Sequence, residues 1–70
     1  MFLKNQLGYI RVSRGLSQQE LAKISGISRH AISEIELDKR VPKLMTALML
    51  AHALECRVED IFSLQTRRVW

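Results

Sequence analysis

The sequence predicts one small, mainly α-helical domain of five short helices, with a two-stranded antiparallel sheet formed by its two terminal segments. Three observations lead to this fold class. The chain has 70 residues, which is the size of a single domain with a modest core. Hydrophobic residues make up 47% of it but aromatic residues only 6%, so aliphatic side chains must fill that core. Helix start and stop signals also recur along the chain at the spacing of short helices.

The first helix is predicted from about residue 5 to Arg14. Asn5 is a suitable N-cap, and Gly15 follows the segment as a stop signal. Gly8 lies inside this helix, where it costs up to about 1 kcal/mol relative to alanine. We therefore expect a helix of moderate intrinsic stability that is held mainly by its packing.

Two further helices joined by a tight turn are predicted between residues 17 and 37. Ser17 and Glu20 have the spacing of a capping box, Gly26 ends the second helix, and Ser28 caps the third. The inward-facing residues are expected to be Leu21, Ala22 and Ile24 in the second helix and Ala31, Ile32, Ile35 and Glu36 in the third. Two short helices joined by a glycine-containing turn form a helix-turn-helix, whose second helix can enter a DNA major groove.

The remaining elements follow a polar, proline-containing loop over residues 37–43. A fourth helix is predicted from Leu44 to Leu54 and a fifth from Val58 to Phe62. The inward stripe of the fourth helix is expected to consist of Leu44, Ala47, Leu48, Ala51 and Leu54. The terminal segments 1–4 and 63–70 flank a core of about residues 5–62, and we expect Phe2 to Lys4 to pair with residues near 64–69.

Composition limits the possible functions. The net charge of +4 and the sequence pI of 9.9 favour a polyanionic partner. The sequence contains no run of about 18 apolar residues and no signal-peptide pattern, and its single cysteine excludes an intramolecular disulfide, so we expect a cytoplasmic protein without a membrane partner. His52 and Cys56 are one turn apart, but two ligands do not complete a metal site. No cofactor-binding motif or catalytic constellation is present, and we expect no enzyme.

Several segments resemble the Cro/CI-type (XRE) helix-turn-helix family of bacterial and phage repressors. They are Arg11–Ala22, Gly26–Arg29, Ile32–Glu36, Leu48–Leu54 and Val58–Phe62. The resemblance covers about residues 5–62 and implies a five-helix, lambda-repressor-like DNA-binding domain. In its length and terminal segments the chain is also similar to small stand-alone members such as the cytolysin repressor, which implies paired terminal strands and a homodimer.

The chain departs from the family pattern at four positions. Gly8 occupies a position where a better helix former is usual, and Lys43 replaces a common serine. Asp38 and Glu55 stand where glycine is common. Aspartate tolerates a left-handed backbone, but glutamate does so less readily. The end of the fourth helix is therefore the least well specified part of the match.

The third helix, over residues 28–37, is predicted to read DNA bases with its N-terminal, outward-facing residues. Arg29, His30 and Ser33 are the main candidates, because their side chains can donate to or accept from base edges. Glu34 is a further candidate that can accept from cytosine N4. Its carboxylate is repelled by phosphates unless it bonds a base amine or orients Arg29 or His30.

Phosphate contacts are predicted around this helix. Gln18 lies at the start of the second helix, where backbone N–H groups favour anions, and the family resemblance implies the same role. The full set of expected phosphate contacts is Gln18, Ser28, Lys39, Arg40 and Lys43. Ser28 is expected chiefly to cap its own helix. The arginines that have no place beside this surface, and are expected to be solvated, are Arg14, Arg57, Arg67 and Arg68.

Arg11 and Glu36 are charged residues on the inward sides of their helices. Charged groups are rarely buried without a partner, so we expect these two to pair with each other. The family resemblance implies such an ion pair between the first and third helices. Both residues are therefore predicted to be structural rather than DNA-reading.

The leading hypothesis is a sequence-specific repressor of transcription that binds double-stranded DNA as a homodimer. Its recognition helices would lie about 34 Å apart, so the operator should be a short inverted repeat. Dimer contacts are expected around the fifth helix and the C-terminal tail. The alternative is an antitoxin-type protein that binds a small protein partner and autoregulates its operon. A restriction-modification controller or a prophage switch could use the same domain.

Overall fold

The computed structural model describes residues 2–65 and contains five α-helices and two β-strands within them. In chain order these are β1 (Phe2–Asn5), α1 (Leu7–Ser13), α2 (Gln18–Ser25), α3 (Arg29–Glu36), α4 (Leu44–Ala53), α5 (Val58–Ile61) and β2 (Phe62–Gln65). The predicted fold class, a five-helix domain with an antiparallel pair of terminal strands, is confirmed. No helix in the described part of the chain is long and apolar enough to span a membrane.

The terminal sheet is shifted from its predicted position. Phe2 pairs with Gln65 and Asn5 with Phe62, so β2 begins two residues earlier than expected. The chain passes directly from α5 into β2 because Phe62 is already extended, with φ −121° and ψ 133°, while its ring remains buried. The predicted strand residues 66–69 lie outside the described residues.

The first helix begins at Leu7 instead of residue 5, because Asn5 belongs to β1. Asn5 still acts near the helix start, since its Oδ1 accepts a hydrogen bond from the Leu7 N–H at 2.9 Å. Its Nδ2 donates to the Ile35 carbonyl at 2.6 Å and to Asp38 Oδ1 at 2.9 Å. One asparagine therefore joins the sheet, the start of α1 and the end of α3.

The helix-turn-helix has the predicted caps. The Ser17 hydroxyl accepts from the Glu20 N–H at 3.0 Å, and the Glu20 carboxylate accepts from the Ser17 N–H at 2.8 Å. Gly26 ends α2 with a φ of 78°, which is the left-handed region that favours glycine. The Ser28 hydroxyl accepts from the Ala31 N–H at 3.1 Å at the start of α3. These local hydrogen bonds fix where both helices begin.

The inward face of α2 differs from the prediction at Ile24, which is exposed. Leu21 and Ser25 are buried instead, and they lie one turn apart. Because a helix turns by about 100° per residue, Ile24 falls outside the narrow face that these two positions define. Ser25 is accommodated in the interior because its hydroxyl accepts from the Ile27 N–H at 3.1 Å.

The inward stripe of α4 is also different from the prediction. Leu50 is fully buried, whereas Leu44 and Leu48 are exposed. The buried stripe is Ala47, Leu50, Ala51 and Leu54. This stripe has the same helical spacing as the predicted one and shares three of its members. A helix that is apolar on nearly every side therefore does not reveal its buried face through periodicity.

Two non-glycine residues have a left-handed backbone at helix ends. Asp38 follows α3 with a φ of 59°, and Glu55 follows α4 with a φ of 55°. These are two of the positions at which the family pattern has glycine. Arg14 also serves the end of α4, since its Nε donates to the Leu54 carbonyl at 3.1 Å. Arg14 is therefore a helix-end ligand, contrary to the expectation of a merely solvated arginine.

Candidate nucleic-acid interface

The exposed face of α3 holds the four residues predicted to contact bases. Arg29 and His30 are exposed at the start of the helix, and Ser33 and Glu34 are half-exposed one turn later. The opposite face consists of Ala31, Ile32 and Ile35, which are buried. Burial of that face anchors the helix, so the outer residues project from a fixed position.

Glu34 is engaged by two neighbouring side chains. Its Oε1 lies 2.6 Å from Nη2 of Arg40 and 3.5 Å from Nε2 of His30. Arg40 comes from the loop after α3, so no helical spacing could have revealed this pair in the sequence. A predicted base contact and a predicted phosphate contact therefore bind each other in the free protein.

A second, more buried carboxylate lies on the inner side of the same helix. Glu36 Oε2 is 2.7 Å from Arg11 Nε, and its Oε1 accepts from Arg11 Nη2 at 3.2 Å. The Arg11 Nη1 also donates to the Leu16 carbonyl at 2.6 Å. The side chains of Arg11 and Glu36 are only 14% and 12% exposed. The hydrogen bond to Glu36 raises the pKa of Arg11, which keeps the guanidinium charged.

Gln18 belongs to this inner cluster. Its Nε2 donates to Glu36 Oε1 at 3.1 Å, so its side-chain amide is fixed by the residue that also binds Arg11. Gln18 is the first residue of α2, and the N–H groups of a first helical turn have no partner within the helix. The backbone at this helix start thus remains suited to a phosphate, while the side chain is held in place.

Gly8 has a packing role that sequence reasoning missed. A Cβ at this position would lie 3.1 Å from Glu36 Oε1 and 3.3 Å from Glu36 Cδ. Alanine would therefore crowd a carboxylate that is already held by Arg11 and Gln18. The only signal in the sequence was the presence of glycine within a helix, which indicated a cost but not its reason.

The loop after α3 carries three exposed basic residues, Lys39, Arg40 and Lys43. Arg40 contacts the exposed face of α3 through Glu34. Within residues 2–65, Lys39 and Lys43 form no ion pair, in contrast to Arg40. The Ser28 hydroxyl accepts from the helix it caps, and its own hydrogen remains able to donate to an anion.

Two other kinds of site that the sequence raised are a reactive cysteine and a metal site. Burial raises the pKa of the Cys56 thiol, which disfavours the reactive thiolate. Across the described residues, no three His, Cys, Asp or Glu side chains lie close enough to hold a metal ion. Exposed donor side chains on α3 and on the loop after it include Arg29, His30, Lys39, Arg40 and Lys43.

Together these features define a helix-turn-helix DNA-binding domain. They are two short capped helices, a buried inner face on the second helix, and basic residues near its exposed face. The chain belongs to the HTH_3 helix-turn-helix family, whose model matches residues 7–61. It is a transcriptional regulator with a helix-turn-helix domain. Its family consists of DNA-binding proteins and not of enzymes.

Three similar proteins support this assignment. The HTH-type transcriptional regulator MJ0272 of Methanocaldococcus jannaschii is 42% identical over 60 residues, which are 86% of this chain and 91% of that protein. The regulator YgzD of Bacillus subtilis is 33% identical over 63 residues, covering 90% and 96% of the two chains. The crystal structure of the restriction-modification controller protein C.AhdI from Aeromonas hydrophila has a TM-score of 0.76 and 34% identity, covering 79% and 83%.

Proposed function

We propose that this regulator is a cytoplasmic repressor that binds an inverted-repeat operator as a homodimer, with α3 in the major groove. The observation that carries this proposal is the exposed face of α3, where Arg29, His30 and Ser33 project beside the basic loop. Arg29 would bond guanine O6 and N7, and His30 and Ser33 would bond neighbouring base edges. Glu34 would accept from an exocyclic amine such as cytosine N4.

Phosphate contacts would orient the domain on the duplex. We assign them to the start of α2 at Gln18, to the Ser28 hydroxyl, and to Lys39, Arg40 and Lys43. Glu36 supports this arrangement because its hydrogen bond fixes the Gln18 side chain. Contacts to phosphates carry no sequence information, so these residues would supply salt-dependent affinity and register.

An exposed apolar stripe supports a homodimer. The exposed fractions are 74%, 68% and 48% for Leu44, Met45 and Leu48 at the start of α4, and 74% for Val41 in the loop before it. An exposed apolar patch of this kind is typical of a protein–protein contact.

A second copy of the chain is the partner that this stripe fits. A two-fold interface matches one patch to itself, and none of the four stripe residues is charged. In α5, by contrast, Ile61 is buried, and the predicted tail contacts beyond Gln65 lie outside the described residues.

The dimer is tested by sedimentation of Leu44→Asp. This change places a charge in the stripe without touching the core, so the variant should remain folded but sediment as a monomer. Val12→Asp is the matched control, because Val12 is equally apolar and exposed but lies on α1. A Leu44→Asp protein that sediments like the wild type would exclude this interface.

Operator recognition is tested by selection from a genomic fragment library in rising salt. Arg29→Ala should lose about 1 to 3 kcal/mol of discrimination at one base pair. Lys39→Ala should weaken all sequences about equally and reduce the salt slope by about one. Binding that falls with salt but selects no sequence would reject sequence-specific regulation.

The likeness to C.AhdI favours a second candidate, a controller of a restriction-modification system. The antitoxin-type alternative would use the apolar stripe for a small protein partner. Restriction-modification genes beside this gene would support the controller function. A small protein that co-purifies with the wild type but not with Leu44→Asp would support the antitoxin-type alternative.

A further inference from the structure

The pair between Glu34 and Arg40 places a carboxylate and a guanidinium on the DNA-facing side of the domain. Their closest atoms are 2.6 Å apart, and the side chain of Glu34 is only 29% exposed, whereas that of Arg40 is 49% exposed. The pair joins the middle of α3 to the loop that follows it. Arg40 is thereby held against the recognition helix, while Lys39 and Lys43 in the same loop have no ion-pair partner within residues 2–65.

This pairing changes what Arg40 can contribute to DNA binding. A guanidinium that is bound to a carboxylate is already neutralised, so it releases few counterions when a phosphate approaches. For Arg40 to bind a phosphate fully, Glu34 must lose its arginine partner. Where DNA offers only phosphates at this position, the loss of Arg40 leaves the Glu34 carboxylate unpaired and facing a polyanion, which is unfavourable.

A base edge with an exposed amine removes this obstacle. Cytosine N4 and adenine N6 are the donors that the major groove offers to a carboxylate. Once Glu34 accepts a hydrogen bond from such an amine, Arg40 is released to a nearby phosphate. The Glu34 carboxylate therefore has a partner in the free protein, where it binds Arg40, and in a complex with a sequence that offers a base amine. It has no partner when Arg40 binds a phosphate on a sequence that lacks this amine.

We infer that Glu34 is a specificity-determining residue that makes the Arg40 phosphate contact conditional on a base amine in the major groove. This inference rests on the proposed DNA-reading role of α3. In this role Glu34 need not raise the affinity for the operator by much. Its effect is to keep non-specific binding weak, which raises the ratio of specific to non-specific affinity.

The test measures binding to a duplex of scrambled sequence in rising potassium chloride. Glu34→Gln should free Arg40, steepen the salt slope by about 0.9, and raise affinity about five- to tenfold at about 0.1 M salt. Arg40→Gln alone should lower the affinity, because it leaves the Glu34 carboxylate without its arginine partner, but it should leave the salt slope nearly unchanged, because Arg40 is held in the wild type. Lys39→Gln should instead flatten the slope by about 0.9, since Lys39 has no ion-pair partner within residues 2–65.

The double variant separates release of Arg40 from simple removal of a negative charge. In the Arg40→Gln background, Glu34→Gln removes a carboxylate but frees no guanidinium, so the affinity should rise while the salt slope stays unchanged. A salt slope that steepens equally in both backgrounds would overturn the inference, and so would a single Glu34→Gln variant that binds like the wild type. Glu59→Gln on α5 removes the same charge far from α3 and should leave the slope unchanged. Thermal melts confirm that each variant is folded.

The outcome for the proposed function is distinguishable from the outcome for this inference. A wild-type protein that shows no salt-dependent binding to any duplex would contradict DNA binding by this face. A wild-type protein that binds, with no coupling between Glu34 and Arg40, contradicts only the conditional contact. With an operator from the library selection, the wild-type salt slope should be steeper on the operator than on scrambled DNA.

Discussion

The Glu36→Ala substitution is expected to destabilise the domain severely. Glu36 accepts hydrogen bonds from Arg11 and Gln18, and the ion pair with Arg11 is largely buried. Alanine removes the carboxylate but leaves the Arg11 guanidinium in a site with little access to water. The cost therefore comes mainly from a buried charge that has lost its partner.

The expected loss is about 3 to 5 kcal/mol, as is typical when one partner of a buried ion pair is removed. A chain of this length has a total unfolding free energy of roughly 4 to 10 kcal/mol. The loss is therefore at least about a third of the total and, in the least stable case, all of it. In a domain of this size it corresponds to a fall in Tm of at least about 12 °C.

Thermal melting followed by circular dichroism measures the effect. The pKa of Arg11 is raised by Glu36, so the stability its charge contributes is complete below the unfolded-state pKa and is lost only as pH rises through the folded-state value. That window lies in strong alkali, and the Arg11 contribution should be the same from about pH 6 to 9. A fall in Tm of less than about 4 °C would refute this reasoning.

A double variant identifies the cause. Replacing both partners, as Arg11→Met with Glu36→Leu, removes the unpaired charge and fills the site with apolar groups. Such replacements are often neutral or stabilising, so the double variant should recover most of the stability lost in Glu36→Ala. If it is as unstable as the single variant, packing around Glu36 and not the stranded charge is responsible.

Three further effects on Tm are expected. Glu55→Gly should raise Tm by about 4 to 8 °C, because it relieves roughly 1 kcal/mol of left-handed backbone strain. Gly8→Ala should lower Tm, because crowding against Glu36, which costs about 1 to 3 kcal/mol, exceeds a helix-propensity gain of up to about 1 kcal/mol. Ser17→Ala should lower Tm by about 4 to 8 °C through loss of the α2 cap. The other half of the capping box is the Glu20 carboxylate, whose pKa is lowered by the Ser17 backbone N–H and hydroxyl. The stability that this carboxylate contributes is therefore present above the ordinary glutamate pKa and is lost as pH falls through the folded-state value.

Each of these effects has a control or a contrary outcome in melting experiments. Asp38 has the same left-handed backbone as Glu55, but its carboxylate accepts from Asn5, so Asp38→Gly should gain less than Glu55→Gly. A higher Tm for Gly8→Ala would show that Glu36 moves aside easily. A Ser17→Ala variant that melts like the wild type would show that the hydroxyl adds nothing to the cap.

The helix boundaries could be predicted because their signals are local. Ser17 with Glu20, Gly26 and Ser28 each satisfies or ends a helix through groups within three or four residues along the chain. The same short range explains the error at Asn5. Its side chain accepts from the Leu7 N–H at the start of α1, but Gln6 occupies the N-cap position because the Asn5 backbone pairs with Phe62. Nothing in the local sequence indicates that distant partner.

The buried face of α4 could not be predicted from periodicity. Leu44, Leu48 and Leu50 are the same residue type, and the choice among them depends on what packs against the helix. Leu50 faces the core, whereas the other two are exposed. Where a helix is apolar on most sides, the surplus apolar face is itself informative, because it indicates a partner surface.

The location of the candidate site and the Arg11–Glu36 ion pair behind it were predictable, but its other internal contacts were not. The outward positions of Arg29, His30 and Ser33 follow from helical geometry once the buried face of α3 is known. Glu34 and Arg40 are separated by a helix end and a loop, and Glu36 and Gln18 by an entire turn between helices. Contacts of this kind depend on tertiary structure, which sequence spacing does not encode.

The two glutamates of α3 have the same chemistry but different surroundings, and this difference separates stability from recognition. Glu36 and Glu34 lie two residues apart, on opposite sides of the helix, and each binds an arginine from another segment. The inner pair is buried, so its loss leaves an unpaired charge and costs stability. The outer pair is far more exposed, and exposed pairs contribute only about 0 to 1 kcal/mol to folding. Stability therefore does not account for the pairing of Glu34 with Arg40 on the exposed side of α3, whereas the control of a phosphate contact that we propose would account for it.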